Sequence, residues 1–105
     1  MEILNLREAP KVPFNLDGHI LCNHNNIQVL HLNLKPGEKI DQHINEFDVI
    51  FHVLEGKALL ITDSNKVLVH KDDCIKIEAG MNRGFDNISV GNFKVMVIKI
   101  LQSKK

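Results

Sequence analysis

Apolar residues recur at every second position in one segment of this chain after another. Five segments show this period of two: IQVLHLNL, KALLIT, KVLVH, CIKI and FKVMVIKIL. Such alternation is typical of β-strands that bury one face, and no stretch has the apolar stripe and end signals of a helix. Turn-forming pairs such as Asp17-Gly18 and Glu55-Gly56 separate the segments. The pattern therefore predicts an all-β fold, a sandwich or barrel of short antiparallel strands.

One hairpin can be predicted within this pattern. The segment LLITDSNKVLVH consists of two apolar strands that are joined by a short loop of polar turn residues. Because loops of this kind connect neighbouring antiparallel strands, we expect these two strands to pair with each other.

The charge balance and the aromatic residues restrict the possible partners. The chain has 13 Lys and Arg residues and 13 Asp and Glu residues, so no summed field attracts nucleic acid or an anionic membrane surface. It has five Phe but no Trp and no Tyr, which removes the usual platforms for stacking bases or sugar rings. We therefore expect neither nucleic acid nor a membrane as a partner.

The cysteines and the first residues predict a location. Cys22 and Cys74 are too few and too far apart for a disulfide framework or a CxxC metal site. The start, MEILNLREAPKVPF, is not a basic stretch followed by the long apolar run of an export signal, and no apolar segment is long enough to span a bilayer. We expect a cytoplasmic protein with reduced thiols.

Two stretches resemble a known family. PGEKIDQHINEFDVIFHVLEG, residues 36–56, is similar to the first motif of the cupins, and DDCIKIEAGMNRGFDN, residues 72–87, is similar to the second. Five residues lie at their family positions: Gly37, His43, Gly56, Gly80 and Asn87. The resemblance implies a double-stranded β-helix, that is, a jelly-roll barrel with a pocket at one end, which is usually dimeric.

The resemblance also suggests how the chain is organised. The length of 105 residues suits a single domain. The resemblance implies a conserved barrel over residues 28–100, preceded by an N-terminal strand and edge segment over 1–27 and followed by a solvated tail over 101–105. Long apolar strands at both ends would be exposed edges unless another chain covers them, so we expect a homodimer.

The family's metal-binding positions are changed in this chain. Metal-binding cupins hold their ion with two histidines and a glutamate of the first motif and a histidine of the second. By the resemblance, four residues occupy those positions here: His43, Asn45, Val49 and Arg83. One imidazole and one amide cannot replace the hydration shell of a transition metal, Val49 has no donor atom, and Arg83 would repel the ion. We therefore expect no metal cofactor.

A rearranged metal site is the alternative. In that case one divalent transition metal would bind His43 together with a carboxylate from Asp41, Glu46 or Asp48. Alternation makes Asp48 face away from the pocket if its neighbour Val49 faces into it, so only a bulge or a shifted register would bring it inward.

Arg83 is the more informative change. The resemblance places it on a strand that faces the pocket, where an unpaired guanidinium would be costly to bury. It needs either an acidic side chain or an anionic ligand, such as a carboxylate or a phosphate. The protein candidates for an ion pair are Asp48, Glu78 and Asp86, and both interpretations stay open.

The remaining pocket candidates are histidines and their neighbours. His43 is either a general acid or base oriented by Asp41 and Asn45, or a residue that caps a polar cavity floor. His31 and Asn33 share one face of the segment VLHLNL and are further candidates, although alternation alone does not tell whether that face lines the pocket.

Three functions are compatible with these residues. The first is a metal-free module, not an efficient enzyme, that binds a small anionic metabolite with His43, Asn45, Arg83 and the further candidates named above. The second is a metal-dependent enzyme of the isomerase or oxygenase kind. The third is a subunit that binds a partner protein, its pocket filled by apolar side chains such as Val49, Phe51 and Phe85.

Overall fold

The computed structural model describes residues 1–101, and within this range the chain forms nine β-strands and no helix. The strands are β1 (Asp17–His24), β2 (Ile27–Leu34), β3 (Lys39–His43), β4 (Asp48–Glu55), β5 (Lys57–Thr62), β6 (Lys66–His70), β7 (Cys74–Ile77), β8 (Arg83–Asp86) and β9 (Phe93–Ile100). The all-β prediction is confirmed. No described segment is a helix long and apolar enough to cross a membrane. The predicted tail lies outside the described residues from position 102 onward.

The strands form two antiparallel sheets. The five-stranded sheet has the order β1-β2-β9-β4-β7, and the four-stranded sheet has the order β3-β8-β5-β6. The predicted hairpin is the pair β5 and β6, in which Leu59 lies opposite Leu68. Apolar side chains from both sheets pack against each other and form the core. Fully buried members of this core are Leu34, Val49, Val53, Ala58, Phe93 and Val95.

Strand β9 lies at the centre of the larger sheet, between β2 and β4, so the expectation that the last apolar strand would be an exposed edge is wrong. Its side chains alternate between the core and the outside, as expected for a strand with one buried face. Phe93, Val95 and Val97 are buried, whereas Lys94 and Met96 are half-buried on the other side. Lys99 continues the inward row, so a lysine stands at the end of an otherwise apolar series.

A β-bulge shapes the opposite wall. Ile40 pairs with Phe85 and His43 pairs with Arg83, so β3 uses three residue steps where β8 uses two. Gly84 lies opposite this irregularity, and a side chain there would meet the main-chain oxygen of Ile40. Glycine is therefore required for the close approach of the two strands. The bulge brings the end of β3, with His43, beside the start of β8, with Arg83.

Candidate functional site

A cavity of about 400 Å³ lies between the two sheets and is lined by strands from both of them. Its polar lining consists of Asp41, Gln42, His43, Asn45, Arg83 and Lys99. Its apolar lining consists of Phe14, Leu30, Leu32, Ile40, Phe51, Phe85 and Val97. A mostly apolar pocket with a few convergent polar groups is typical of a small-molecule site.

Arg83 is the most deeply buried polar residue of the lining, with 3% of its surface exposed. Its Nη1 donates a hydrogen bond of 3.0 Å to the main-chain oxygen of His43, and its guanidinium carbon lies 5.6 Å from the centre of the Phe51 ring. Its Nε–H has no hydrogen-bond acceptor in the described part of the chain. The guanidinium is therefore held in place but only partly satisfied.

The ion pairs proposed from the sequence do not form. Among residues 1–101, only His70 with Asp73 and Lys94 with Glu55 lie within ion-pair distance of each other. The carboxylate of Asp48 instead accepts a hydrogen bond of 2.9 Å from the main-chain nitrogen of Ala79. The regular pairing of β4 explains this, because it buries Val49 and turns its neighbour Asp48 away from the cavity.

Lys99 is a second cation in the cavity lining. Its ammonium nitrogen lies 5.9 Å from the centre of the Phe47 ring, and no carboxylate of the described residues pairs with it. Burial lowers the pKa of Lys99, and the positive charge of Arg83 lowers it further. Burial also lowers the pKa of Arg83. Two positively charged side chains thus line one cavity without a countercharge in ion-pair contact.

His43 and Asn45 lie at the more exposed side of the cavity. The Nδ1 of His43 is 3.1 Å from the main-chain oxygen of Asp41. When Nδ1 carries the proton it donates to that oxygen, which leaves Nε2 as the free acceptor. Asn45 fixes the adjacent loop, because its main-chain oxygen accepts a hydrogen bond of 2.9 Å from the nitrogen of Gly80.

The structure brings together three of the residues predicted for the site, and places three others elsewhere. His43, Asn45 and Arg83 all line the cavity. Val49 is fully buried in the core and does not line it. Two further candidates, His31 and Asn33, lie on the outer face of β2.

The position of His31 and Asn33 corrects their assignment to the pocket. Leu30 and Leu32 alternate with them on β2 and supply the buried face. Asn33 donates a hydrogen bond of 3.2 Å to the carboxylate of Asp17. Burial against the neighbouring strands, and next the positive charge of Lys94, lower the pKa of His31.

Sequence reasoning overlooked Lys99, although a signal for it existed. In the segment FKVMVIKIL the apolar residues at positions 93, 95 and 97 define the inward face, and the same period of two places Lys99 on it. A lysine on the buried side of a strand is rare unless something pairs with it. The alternation of inward and outward positions therefore predicts that Lys99 is a second cation on the inner face.

The lining bears on two functions that were left open by the sequence. Phe51 and Phe85 lie in the cavity wall but leave open space beside Arg83, which argues against a pocket filled by side chains. Within residues 1–101 no three His, Cys, Asp or Glu side chains are grouped so that they could hold a metal ion. Val49 has no donor atom and Arg83 is cationic, so the residues at the family's metal-binding positions do not fit the metal ion of that site.

Comparisons with known proteins agree with this architecture. Residues 30–99 match the family profile described as a cupin domain. No curated protein matches this chain in sequence.

Solved structures share the fold at low sequence identity. The polyketide cyclase RemF from Streptomyces resistomycificus has a TM-score of 0.86 and 15% identity, covering 97% of this chain and 80% of that chain. A predicted oxalate decarboxylase from Thermotoga maritima has a TM-score of 0.86 and 16% identity, covering 96% and 100%. An RmlC-like cupin with a double-stranded β-helix fold from Methanocaldococcus jannaschii has a TM-score of 0.81 and 17% identity, covering 95% and 90%. The predicted jelly-roll barrel is confirmed, and at these identities the likeness concerns the fold alone.

Proposed function

The chain belongs to the cupin domain family, and from this premise we propose that it is a metal-free binding module whose cavity takes up a small organic anion at Arg83. The observation that carries this proposal is an arginine, Arg83, that exposes 3% of its surface and has no carboxylate in ion-pair contact among the described residues. An anion would supply the missing charge and the missing hydrogen-bond acceptors.

The surroundings of Arg83 favour an anion over a neutral ligand. A guanidinium binds a carboxylate with two parallel hydrogen bonds, and such charge-assisted bonds strengthen where water is excluded. Its contacts with the Phe51 ring and with the main-chain oxygen of His43 leave donors unused. His43 and Asn45 add polar groups that can orient the rest of the ligand.

The fold itself does not specify a reaction, because cupins carry many unrelated chemistries. The metal-dependent isomerase or oxygenase stays the competing proposal, with an ion at His43. Metal analysis of the purified protein separates the two, after incubation with Zn²⁺, Mn²⁺ or Ni²⁺. A stoichiometric ion would overturn the metal-free proposal.

A thermal-shift titration tests the anion proposal. The wild-type protein is titrated with sodium salts of small carboxylates and with inorganic phosphate at constant ionic strength. We expect at least one anion to raise the melting temperature, since a ligand that binds only the folded state stabilises it. Arg83→Met should abolish this shift.

Arg7→Met is the matched control, because Arg7 is exposed and lies outside the cavity. This control should retain the shift in full. If no anion shifts the wild type, or if Arg83→Met responds like the wild type, the proposal is wrong.

We also propose a homodimer that covers a sheet edge. Within the described residues, β6 is an edge strand of the smaller sheet and exposes Val67 and Leu68 to 48% and 45%. Exposed apolar edge strands tend to pair with another chain. Sedimentation of the full chain would contradict this proposal if it gave the mass of a monomer at micromolar concentration.

A further inference from the structure

Lys99 and the apolar walls of the cavity indicate which kind of anion fits. We infer that the ligand is a carboxylate with an apolar body, whose carboxylate lies between Arg83 and Lys99 and whose body contacts the buried walls. This inference rests on the proposed function, namely anion binding at Arg83. It adds a second anion-binding residue and a substrate class to that proposal.

Lys99 lies at the inner surface of the larger sheet. It lies on the inward face of β9, after Phe93, Val95 and Val97, and its side chain lines the cavity. Its direct neighbours across the sheet are Val49 on β4 and Gln28 on β2. Neither neighbour carries a negative charge, and no carboxylate of the described residues lies within ion-pair distance of the ammonium group.

The two cations of the cavity come from different sheets. Arg83 belongs to the smaller sheet and Lys99 to the larger one, and both side chains line the same cavity. A carboxylate has two oxygens, each with two acceptor positions, so one oxygen can face each cation. A single anionic group can thus offset both charges across the space between the sheets.

The apolar part of the cavity lining indicates the chemistry of the rest of the ligand. Beyond the two cations, the inner wall consists of Leu30, Leu32, Phe51, Phe85 and Val97, all of them buried. Sugar hydroxyls pressed against such a wall would lose their hydrogen bonds to water without replacement. An aliphatic or aromatic body gains from the same burial, by about 25 cal/mol for each Å² removed from water.

A set of four probes separates the head of the ligand from its body. Phenylacetate carries both parts, acetate only the carboxylate, benzyl alcohol only an apolar ring with a neutral polar group, and glucose 6-phosphate an anion on a polar body. In calorimetric titrations we expect phenylacetate to bind at least about tenfold more tightly than each of the other three. Equal or tighter binding of acetate or glucose 6-phosphate would overturn the inference.

Substitutions at Lys99 test the second cation. Lys99→Met keeps the length of the side chain and removes its charge, and it should weaken phenylacetate binding at least about tenfold. Lys99→Arg restores the charge and should recover most of the lost affinity. Lys94→Met is the matched control, because Lys94 lies on the same strand but faces outward and pairs with Glu55; it should change the affinity less than about twofold.

The outcomes distinguish this inference from the proposed function. If anions bind and Arg83→Met abolishes binding, but Lys99→Met has the same affinity as the wild type, the function stands and the role of Lys99 is wrong. If no probe binds the wild-type protein, both fail. Thermal melts of each variant without ligand show whether it folds, and Lys99→Gln replaces Lys99→Met should the latter fail to fold.

Discussion

Two polar side chains are buried in the described part of the chain, and they lie at opposite ends of β8. Asn87, just after the strand, has each polar atom of its side chain bound by the protein itself. Arg83, at the start of the strand, has one hydrogen bond and an Nε–H without an acceptor. The two residues are thus similarly buried but differ in their hydrogen bonds. The side chain of Asn87 is fully hydrogen-bonded within the protein, whereas Arg83 keeps a donor for which the described residues provide no acceptor.

The bonds of Asn87 show what full satisfaction requires. Its Nδ2 donates to the main-chain oxygens of Leu34 and Gly91, both at 2.9 Å. Its Oδ1 accepts from the main-chain nitrogen of Ser89 at 3.0 Å and from the Ser89 hydroxyl at 2.7 Å. The side chain thus connects the end of β2 with the turn before β9, and its hydrogen bonds are complete without a ligand.

The largest effect is expected from Asn87→Ala. The substitution removes four hydrogen bonds, one of them to the main-chain oxygen of the fully buried Leu34, which should lower the free energy of unfolding by about 3–5 kcal/mol. Urea denaturation measures this. Asn82→Ala is the control, because the amide of Asn82 donates one exposed hydrogen bond to Asp63; it should cost less than about 1 kcal/mol. A similar loss for both variants would remove the contrast.

Arg83→Met should raise the free energy of unfolding, whereas Asn87→Ala should lower it. Replacement of an uncompensated buried charge by an apolar side chain of similar length should raise the free energy of unfolding by about 1–2 kcal/mol in the absence of ligand. Arg7→Met should leave it within about 0.5 kcal/mol of the wild type. The comparison breaks if Arg83→Met destabilises the protein as much as Asn87→Ala, because Arg83 would then be structural.

A smaller and pH-dependent gain is expected for Lys99→Met. The folded state lowers the pKa of Lys99 from its ordinary value of 10.5. At pH values between this lowered pKa and 10.5 the unfolded chain binds more protons than the folded protein. The stability of the wild type therefore increases as the pH rises through this range. The variant lacks this gain. Its advantage at neutral pH should therefore shrink as the pH approaches 10.5, which urea titrations at several pH values can follow. An advantage that is constant with pH would contradict a lowered pKa.

The smallest effect concerns His31, on the outer face. Burial, Lys94 and His19 lower its pKa below 6.5, although Asp17 acts in the opposite direction. Neutral His31 should thus contribute stability above pH 6.5, and this contribution should be lost as the pH falls from 6.5 through the folded pKa. His31→Gln should lose less stability on acidification than the wild type. Equal losses would show that His31 is as free to take up a proton in the folded state as in the unfolded chain.

The sequence predicted the strands better than it predicted the site. Alternation is a local property, so the inward rows of β4, β5 and β9 follow from their own residues. Alternation does not tell which of two faces becomes the core when both carry some apolar residues, and for this reason His31 and Asn33 were assigned to the pocket. The bulge between Ile40 and His43 depends on contact with Gly84, 41 residues further along the chain than His43, which no local pattern records.

The family motifs identified the positions of Arg83 and His43 but not their contacts. Whether Arg83 has an acidic partner depends on where Asp48 and Asp86 point once both sheets are assembled. The described structure answers this in favour of an unpaired guanidinium. Lys99 lies beyond the family motifs, and only the inward row of β9 reveals it.

The hydrogen bond between Asn87 and Leu34 also has a consequence for the rate of unfolding. It joins residues that are 53 positions apart, and contacts of such long range form only after the intervening chain has been ordered at a cost in entropy. Interactions that are absent from the folding transition state slow unfolding and barely change the speed of folding. We therefore expect the loop around Asn87 to close late in folding, and the loss of this hydrogen bond to speed unfolding more than it slows folding.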